Sequence, residues 1–313
     1  MSIAFTHRRF NKAIDLSGSV QTVIGNGLFY TTQDGWKTVV DRVNLKNNNW
    51  RGVAICSSKP MVQTALVTGT TGTRYLHTTT DGWDTFVART NVPQANWGYV
   101  AISASNPLVQ TAFVRNSYIY TTTDGWVTYT SRSYIGAKAW TEIAISATDP
   151  FVQTAVSAGG YICTTTDGWV TYSSRTNVGA RDFYSVAICP SNHLVQTAVA
   201  AANYICTTTD GWNTFTDRTN VGLSDWNGNA ISGTDPLVQS AINRLGYLYT
   251  TTDGWNTFTA FTNLGTLTWS IIRIDSKDHK IQTIGCSNSI TLITDDGWIT
   301  FTQLMMGNFV AIR

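Results

Sequence analysis

The chain predicts an all-β fold, a seven-bladed β-propeller with four antiparallel strands per blade, and three observations predict it. The tripeptide Asp-Gly-Trp recurs with its aspartate at Asp34, Asp81, Asp124, Asp167, Asp210, Asp253 and Asp296. The first interval is 47 residues and every later one is 43, inside the span of roughly 40 to 50 residues that marks propeller blades and solenoid repeats. Each unit reads as short strands separated by turn residues, with no helical period.

The elements follow from one model unit. Residues 226–232 form a short apolar strand, A. Gly233-Thr234-Asp235-Pro236 supplies the residue types of a turn, and residues 237–242 alternate as strand B. Asn243-Arg244-Leu245-Gly246 leads into strand C at 247–252, Asp253-Gly254-Trp255 turns the chain, and strand D is expected at 256–259. Tight connections suit antiparallel neighbours, since parallel ones need long crossovers. One such small sheet cannot bury both faces, so the copies must pack face to face, and a closed radial array leaves only short edges. An open solenoid fits four strands per unit less well.

Repeats from end to end leave no place for a second domain, so residues 1–313 read as one domain. The extra residues of the first interval fall between Gln63 and Asp81, where 68–73 lengthen the B-to-C connection as a Gly- and Thr-rich loop. Phe5-Thr6-His7-Arg8 resembles strand D text, while Ala13-Ile14-Asp15 and Phe309-Val310-Ala311-Ile312 both resemble strand A. The termini are therefore expected to meet in one blade and close the ring.

Composition narrows function by exclusion. Hydrophobic residues make up 42% of the chain, enough for a core, and charged residues only 13%, about half the usual 25%. The surface is left to Thr, Ser, Asn and Gly. A net charge of +2 with no basic run predicts no nucleic-acid binding. Cys56, Cys163, Cys189, Cys206 and Cys286 are odd in number, and most follow the repeat, which reads as packing and not as a disulfide framework. No Cys-x-x-Cys pair suggests zinc, and no cofactor is expected. The first residues lack a secretory h-region and no run reaches the roughly 18 apolar residues of a span. Cytoplasmic synthesis without membrane insertion is the expectation, compatible with later release or with residence on a particle.

Thr122-Thr123-Asp124-Gly125-Trp126-Val127-Thr128-Tyr129 resembles the Asp-box, or bacterial neuraminidase repeat, Ser/Thr-x-Asp-x-Gly-x-Thr-Trp. Here Gly stands one place early and Trp takes the usual Gly position. Trp97-Gly98-Tyr99-Val100-Ala101-Ile102-Ser103-Ala104-Ser105-Asn106-Pro107 likewise resembles strand text of sialidase-type and xyloglucanase-type propellers. The resemblance covers nearly the whole chain. It implies a structural turn at the rim between strands C and D, with Asp34, Asp81, Asp124, Asp167, Asp210, Asp253 and Asp296 holding backbone amides. It implies no single function, because sialidases, glucanases, sorting receptors, photosystem assembly factors and lectins share it. The sialidases of that superfamily use an arginine triad, a Tyr/Glu pair and an acidic donor. This chain has a single glutamate, Glu142, and Arg42, Arg89, Arg132, Arg175 and Arg218 simply follow the repeat. Asp149, Asp235 and Asp278 share one turn position. A glycosidase needs two carboxylates at a set distance, so no enzyme is expected.

Binding rests on a second repeated set. Trp97, Trp140, Trp226 and Trp269, with Trp50 and Phe183, open strand A; Tyr118, Tyr161, Tyr204 and Tyr247, with Tyr75, open strand C. The D-to-A and B-to-C connections emerge on one face of a four-stranded blade. That face is expected to carry these aromatics with Arg89, Arg132, Arg175 and Arg218 and with Asn91, Asn177 and Asn220. Aromatic faces beside hydrogen-bonding groups suit sugar rings, and equivalent sites raise avidity. A non-catalytic, multivalent lectin is one expectation. A protein-interaction or structural subunit, such as an assembly scaffold or virion component, is the other, so the expected partners are glycans or a protein. The same aromatics also suit packing between blades.

Overall fold

In the computed structural model of the 313-residue chain, the described residues are 20–25, 28–33, 38–45, 50–67, 74–264, 267–275, 277–286 and 290–305. They form seven small antiparallel sheets in a ring, a seven-bladed β-propeller. Blade 6 is representative: strand A is Trp226–Ile231, B is Gln239–Asn243, C is Leu248–Thr251 and D is Thr259–Phe261. Strand D begins later than the sequence suggests. The Thr257 amide is still tied to the Asp253 carboxylate, so the turn runs on through 256–258 before the ladder resumes.

Blade 1 contributes strands in the B, C and D positions, Gln21–Gly25, Leu28–Thr32 and Val40–Asp41. The strand-A-like text at both ends lies outside the described residues, and the expected ring closure by the termini lies there with it. So do the turn around Asp34 and the loop at 68–73; strands Gln63–Val67 and Leu76–Thr79 pair on either side of that loop, which puts it in the B-to-C connection. Among the described residues no helix is long and apolar enough to cross a membrane.

The inner strands of blades 2 to 7 are Trp50–Ile55, Trp97–Ile102, Trp140–Ile145, Phe183–Ile188, Trp226–Ile231 and Trp269–Ile274. Each carries a β-bulge after its first residue, as between Trp140 and Glu142 opposite Ser157 and Val156. A bulge re-aims the extra residue, here Arg51, Gly98, Thr141, Tyr184, Asn227 or Ser270.

The core lies between blades. Phe113 and Ile119 of blade 3 pack with Trp140, Ile143, Cys163 and Trp169 of blade 4, closed above by Ile135 of a 3-10 turn, Ser133–Ile135. In blades 2 and 3 two tryptophans meet edge to face, Trp50 with Trp83 and Trp97 with Trp126, each pair with centroids 6.3 Å apart, an arrangement the ring quadrupole favours. All five cysteines are buried and free.

Candidate functional site

Every described Asp-Gly-Trp turn has the same anatomy. In blade 5 the Asp210 carboxylate accepts the Thr214 amide at 2.9 and 3.0 Å and the Thr214 hydroxyl at 2.6 Å. The Thr208 hydroxyl donates to Asp210 at 2.8 Å and accepts the Trp212 amide at 3.0 Å. Gly211 takes φ +67° and so does its neighbour in kind, Trp212 with φ +73°. A left-handed tryptophan is costly by about 1–2 kcal/mol. Full burial of the indole and its hydrogen bond to Gln196 at 2.6 Å offset that cost. At Asp81, burial opposes ionisation, but the Thr85 hydroxyl and amide and the Thr79 hydroxyl outweigh it and hold the carboxyl at about 2. Asp167 is held at about 2 in the same way by Thr171 and Thr165.

The indole leads into a buried belt. Gln196 Oε1 accepts Trp212 Nε1–H and the Thr154 hydroxyl of the preceding blade, at 2.6 and 2.7 Å, while its amide donates to the His193 carbonyl. The same link joins Thr22 to Gln63, Thr64 to Gln110, Thr111 to Gln153, Thr197 to Gln239 and Ser240 to Gln282. Thr283 and Gln21 occupy the matching places at the two ends of the series, and both are buried.

The repeated residues expected to bind sugar are used elsewhere. Trp97, Trp226 and Trp269 are 0% exposed and Trp140 is 4% exposed. Their indole N–H groups bond the carbonyls of Arg74, Asn203, Gly246 and Ser117 in the preceding blade. A buried ring presents no face to a sugar, so the strand-A aromatics are packing residues, which corrects the platform expectation. The arginines and asparagines turn outward, toward the next blade's Asp-Gly-Trp turn. Arg89, Arg132, Arg175 and Arg218 bond the strand-C threonines Thr78, Thr121, Thr164 and Thr207 through Nε. Arg175 and Arg218 reach on to Asn213 and Asn256. Asn91, Asn177 and Asn220 donate to the carbonyls of Trp126, Trp212 and Trp255. These groups clamp blade to blade at the rim and do not converge with the aromatics. Tyr118, Tyr204 and Tyr247 are half-buried and Tyr161 is 37% exposed.

What the ring does bring together is a cavity of about 560 Å³ at the end of the central channel where the inner strands begin. Arg51, Arg115, Arg273, Glu142, Tyr99 and Tyr184 line it, with Val53, Val100 and Ile272 between them. Of the repeated aromatics proposed from sequence, only Trp140 borders it. Tyr99 lies beside both Glu142 and Arg273, whose charges act on its phenol in opposite directions. Tyr99 stands on blade 3 and Arg273 on blade 7, so this contact crosses the channel. Burial, then the Glu142 charge, push the Tyr99 phenol above its ordinary value. Glu142 also accepts the Val186 amide of the next blade at 3.0 Å. Arg273 donates to the Ile272 carbonyl at 2.7 Å, and among the described residues the buried Arg51 Nε has no partner. At the rim of the mouth Arg244 sits 4.3 Å above the Tyr184 ring and 3.5 Å from Asp225.

Sequence reasoning overlooked this cluster apart from Glu142, and the missed signal is departure from the repeat. Positions 51, 98, 141, 184, 227 and 270 read Arg, Gly, Thr, Tyr, Asn and Ser; Arg273 replaces the alanine found at 54, 101, 144, 187 and 230. Among the described residues no group of three or more His, Cys, Asp or Glu converges as a metal site.

No family model matches the chain, and no curated protein matches it in sequence. Solved structures are similar in fold. YCF48 bound to a D1 peptide superposes with a TM-score of 0.63 at 14% identity, over 98% of this chain and 100% of that one. An ancestral GH74 enzyme gives 0.64 at 12% identity, over 81% of this chain and 38% of its own. Sqt1 of Chaetomium thermophilum, bound to the N-terminus of ribosomal protein L10, gives 0.63 at 10% identity, over 92% and 85%. Propellers of this shape thus include both binding proteins and enzymes.

Proposed function

We propose that this protein is a non-catalytic binding propeller of the Asp-box type whose partner is a protein segment received at the channel mouth. One observation carries the reading: the mouth is where nearly identical blades present different side chains, Arg51, Tyr99, Glu142, Tyr184 and Arg273 among them. An irregular surface of cations, aromatics and aliphatics suits a polypeptide, whose successive side chains also differ. Two of the structural neighbours, YCF48 and Sqt1, are bound to polypeptide segments, which supports the same choice.

A lectin with one site per blade draws less support, because its strand-A platforms are buried. Binding of common oligosaccharides on a glycan array, lost in Tyr161→Ala, would restore it. For hydrolysis, Glu142 is the sole carboxylate among the described residues lining the cavity, whereas most glycosidases use two. Turnover of a sialoside or β-glucan that disappears in Glu142→Gln would overturn the non-catalytic reading. The direct test is retention of random hexapeptides on the immobilised full chain. Retention that is lost in Ser270→Trp, which fills the mouth from an exposed bulge position, supports a mouth-bound segment; retention unchanged by that substitution removes it.

A further inference from the structure

Resting on that reading, we infer that the mouth recognises a carboxylate on the bound segment, using Arg273 and Arg51 with Arg115 beside them. Among the described residues three guanidinium groups and one carboxylate line the cavity, an excess of positive charge in a chain whose overall charge is only +2. The one carboxylate among the described lining residues is already engaged. Glu142 accepts the Val186 amide at 3.0 Å, and Tyr99 lines the cavity beside it and Arg273. The Ile272 carbonyl holds the Arg273 guanidinium at one Nη. Its planar fork has five N–H donors, of which, among the described residues, the Ile272 carbonyl takes one.

Arg51 supplies an independent sign. Among the described residues its buried Nε has no hydrogen-bond partner, and native structures rarely leave such a donor unmatched. Arg51 rises from the bulge of the blade 2 inner strand and borders the same cavity as Arg273. A carboxylate accepts from guanidinium forks with two parallel bonds, and the partly enclosed channel strengthens the attraction over that in open water. The wall between the arginines is Val53, Val100, Ile271 and Ile272. Aliphatic contact beside a cation matches a peptide with an apolar residue next to its acid. It offers few partners to the hydroxyls of a sugar acid.

The carboxylate has two possible sources, an Asp or Glu side chain and a free chain terminus, and they separate by experiment. Two pools of random hexapeptides, one with free and one with amidated C-termini, are passed over the immobilised full chain, and the retained peptides are sequenced by mass spectrometry. Enrichment of Asp and Glu in the amidated pool identifies a side-chain carboxylate; retention of the free pool alone, without acidic enrichment, identifies the terminus. Either result supports the inference if retention falls by about tenfold or more in Arg51→Gln/Arg273→Gln, survives in Lys59→Gln, an exposed cation outside the cavity lining, and weakens as salt is raised. Arg273→Lys keeps the charge but not the fork, and is expected to recover only part of the loss.

Equal retention of neutral amidated peptides, abolished by Ser270→Trp but not by the arginine substitutions, overturns carboxylate recognition while leaving the mouth as a peptide site. Failure of both pools to bind any better than to Ser270→Trp overturns both. Unchanged far-ultraviolet circular dichroism and melting of each variant establish that the losses are local.

Discussion

The rim and the mouth of this propeller are built from the same repeats and behave in opposite ways. At the rim, six described turns place Asp, Gly, Trp and Thr in one geometry, and the Gln belt behind them repeats link by link. At the mouth, the second and third residues of each inner strand change from blade to blade. The rim meets one packing problem seven times, so one solution serves. On the proposed reading the mouth meets one partner once, and seven copies of any one residue could not place Arg273, Tyr99 and Glu142 around one cavity. In a repeat protein the insistent residue is evidence about folding; the residue that interrupts the repeat is evidence about binding.

Tryptophan substitutions in a turn give the largest expected effect on the first half of that comparison. Trp212 is fully buried against the blade 4–5 core, so Trp212→Ala is expected to cost about 3–5 kcal/mol in denaturant unfolding. Trp212→Gly removes still more of the side chain, yet it relieves a left-handed residue at φ +73°. It is expected to be the milder of the two by about 1 kcal/mol. A glycine variant clearly worse than the alanine one would show that the backbone conformation is not what the tryptophan opposes. Neither should alter binding at the mouth while the fold persists. Arg273→Gln should reverse the pattern, with stability within about 1 kcal/mol of the parent and binding lost.

The belt comes next. Gln196→Leu orphans the Trp212 indole N–H and the Thr154 hydroxyl, both buried, and about 2–4 kcal/mol of destabilisation is expected from two such donors. A double-mutant cycle with Thr154→Val checks the origin of the loss. Removing the orphaned hydroxyl should recover part of it, and strict additivity would mean that the belt does not couple the blades. Smaller again is the exposed clamp: Asn177→Ala gives up bonds to the Trp212 and Asn213 carbonyls, for about 1 kcal/mol or less.

Much of this architecture was legible because repetition amplifies weak local signals. Asp210, Gly211 and Trp212 fix the register of one turn; their recurrence at a constant interval fixes the number of blades. Individual side-chain directions were not legible in the same way. Trp226 reads equally well as a sugar platform or as core, and only the neighbouring blade's Asn203 carbonyl, 3.0 Å from its indole nitrogen, decides for core. Arg218 and Asn220 read as face residues from their position after strand D, but they serve the Asn256 and Trp255 backbone and side chain of the next blade. Arg51 and Arg273 lie far apart in sequence and converge only because the ring brings their inner strands to one channel. No period reveals such a pair; only their deviation from it does.

The smallest effect expected at neutral pH concerns the rim carboxylates, and acid makes it visible. Asp81 and Asp167 lie at about 2 against an ordinary 3.8, and Asp124, Asp210 and Asp296 are lowered as well. A carboxyl whose pKa is depressed by folding contributes stability that is complete above its unfolded value and is lost as pH falls through its folded value. Unfolding free energy should therefore hold steady from neutral pH to about pH 4 and decline between about pH 4 and pH 2. Asp81→Asn/Asp167→Asn lowers the neutral plateau and removes two titrating groups, so its decline over the same interval should be shallower. The opposite outcome, two parallel acid limbs in urea unfolding followed across that range, would place the acid sensitivity outside the turns and would separate the rim's repetition from its stability.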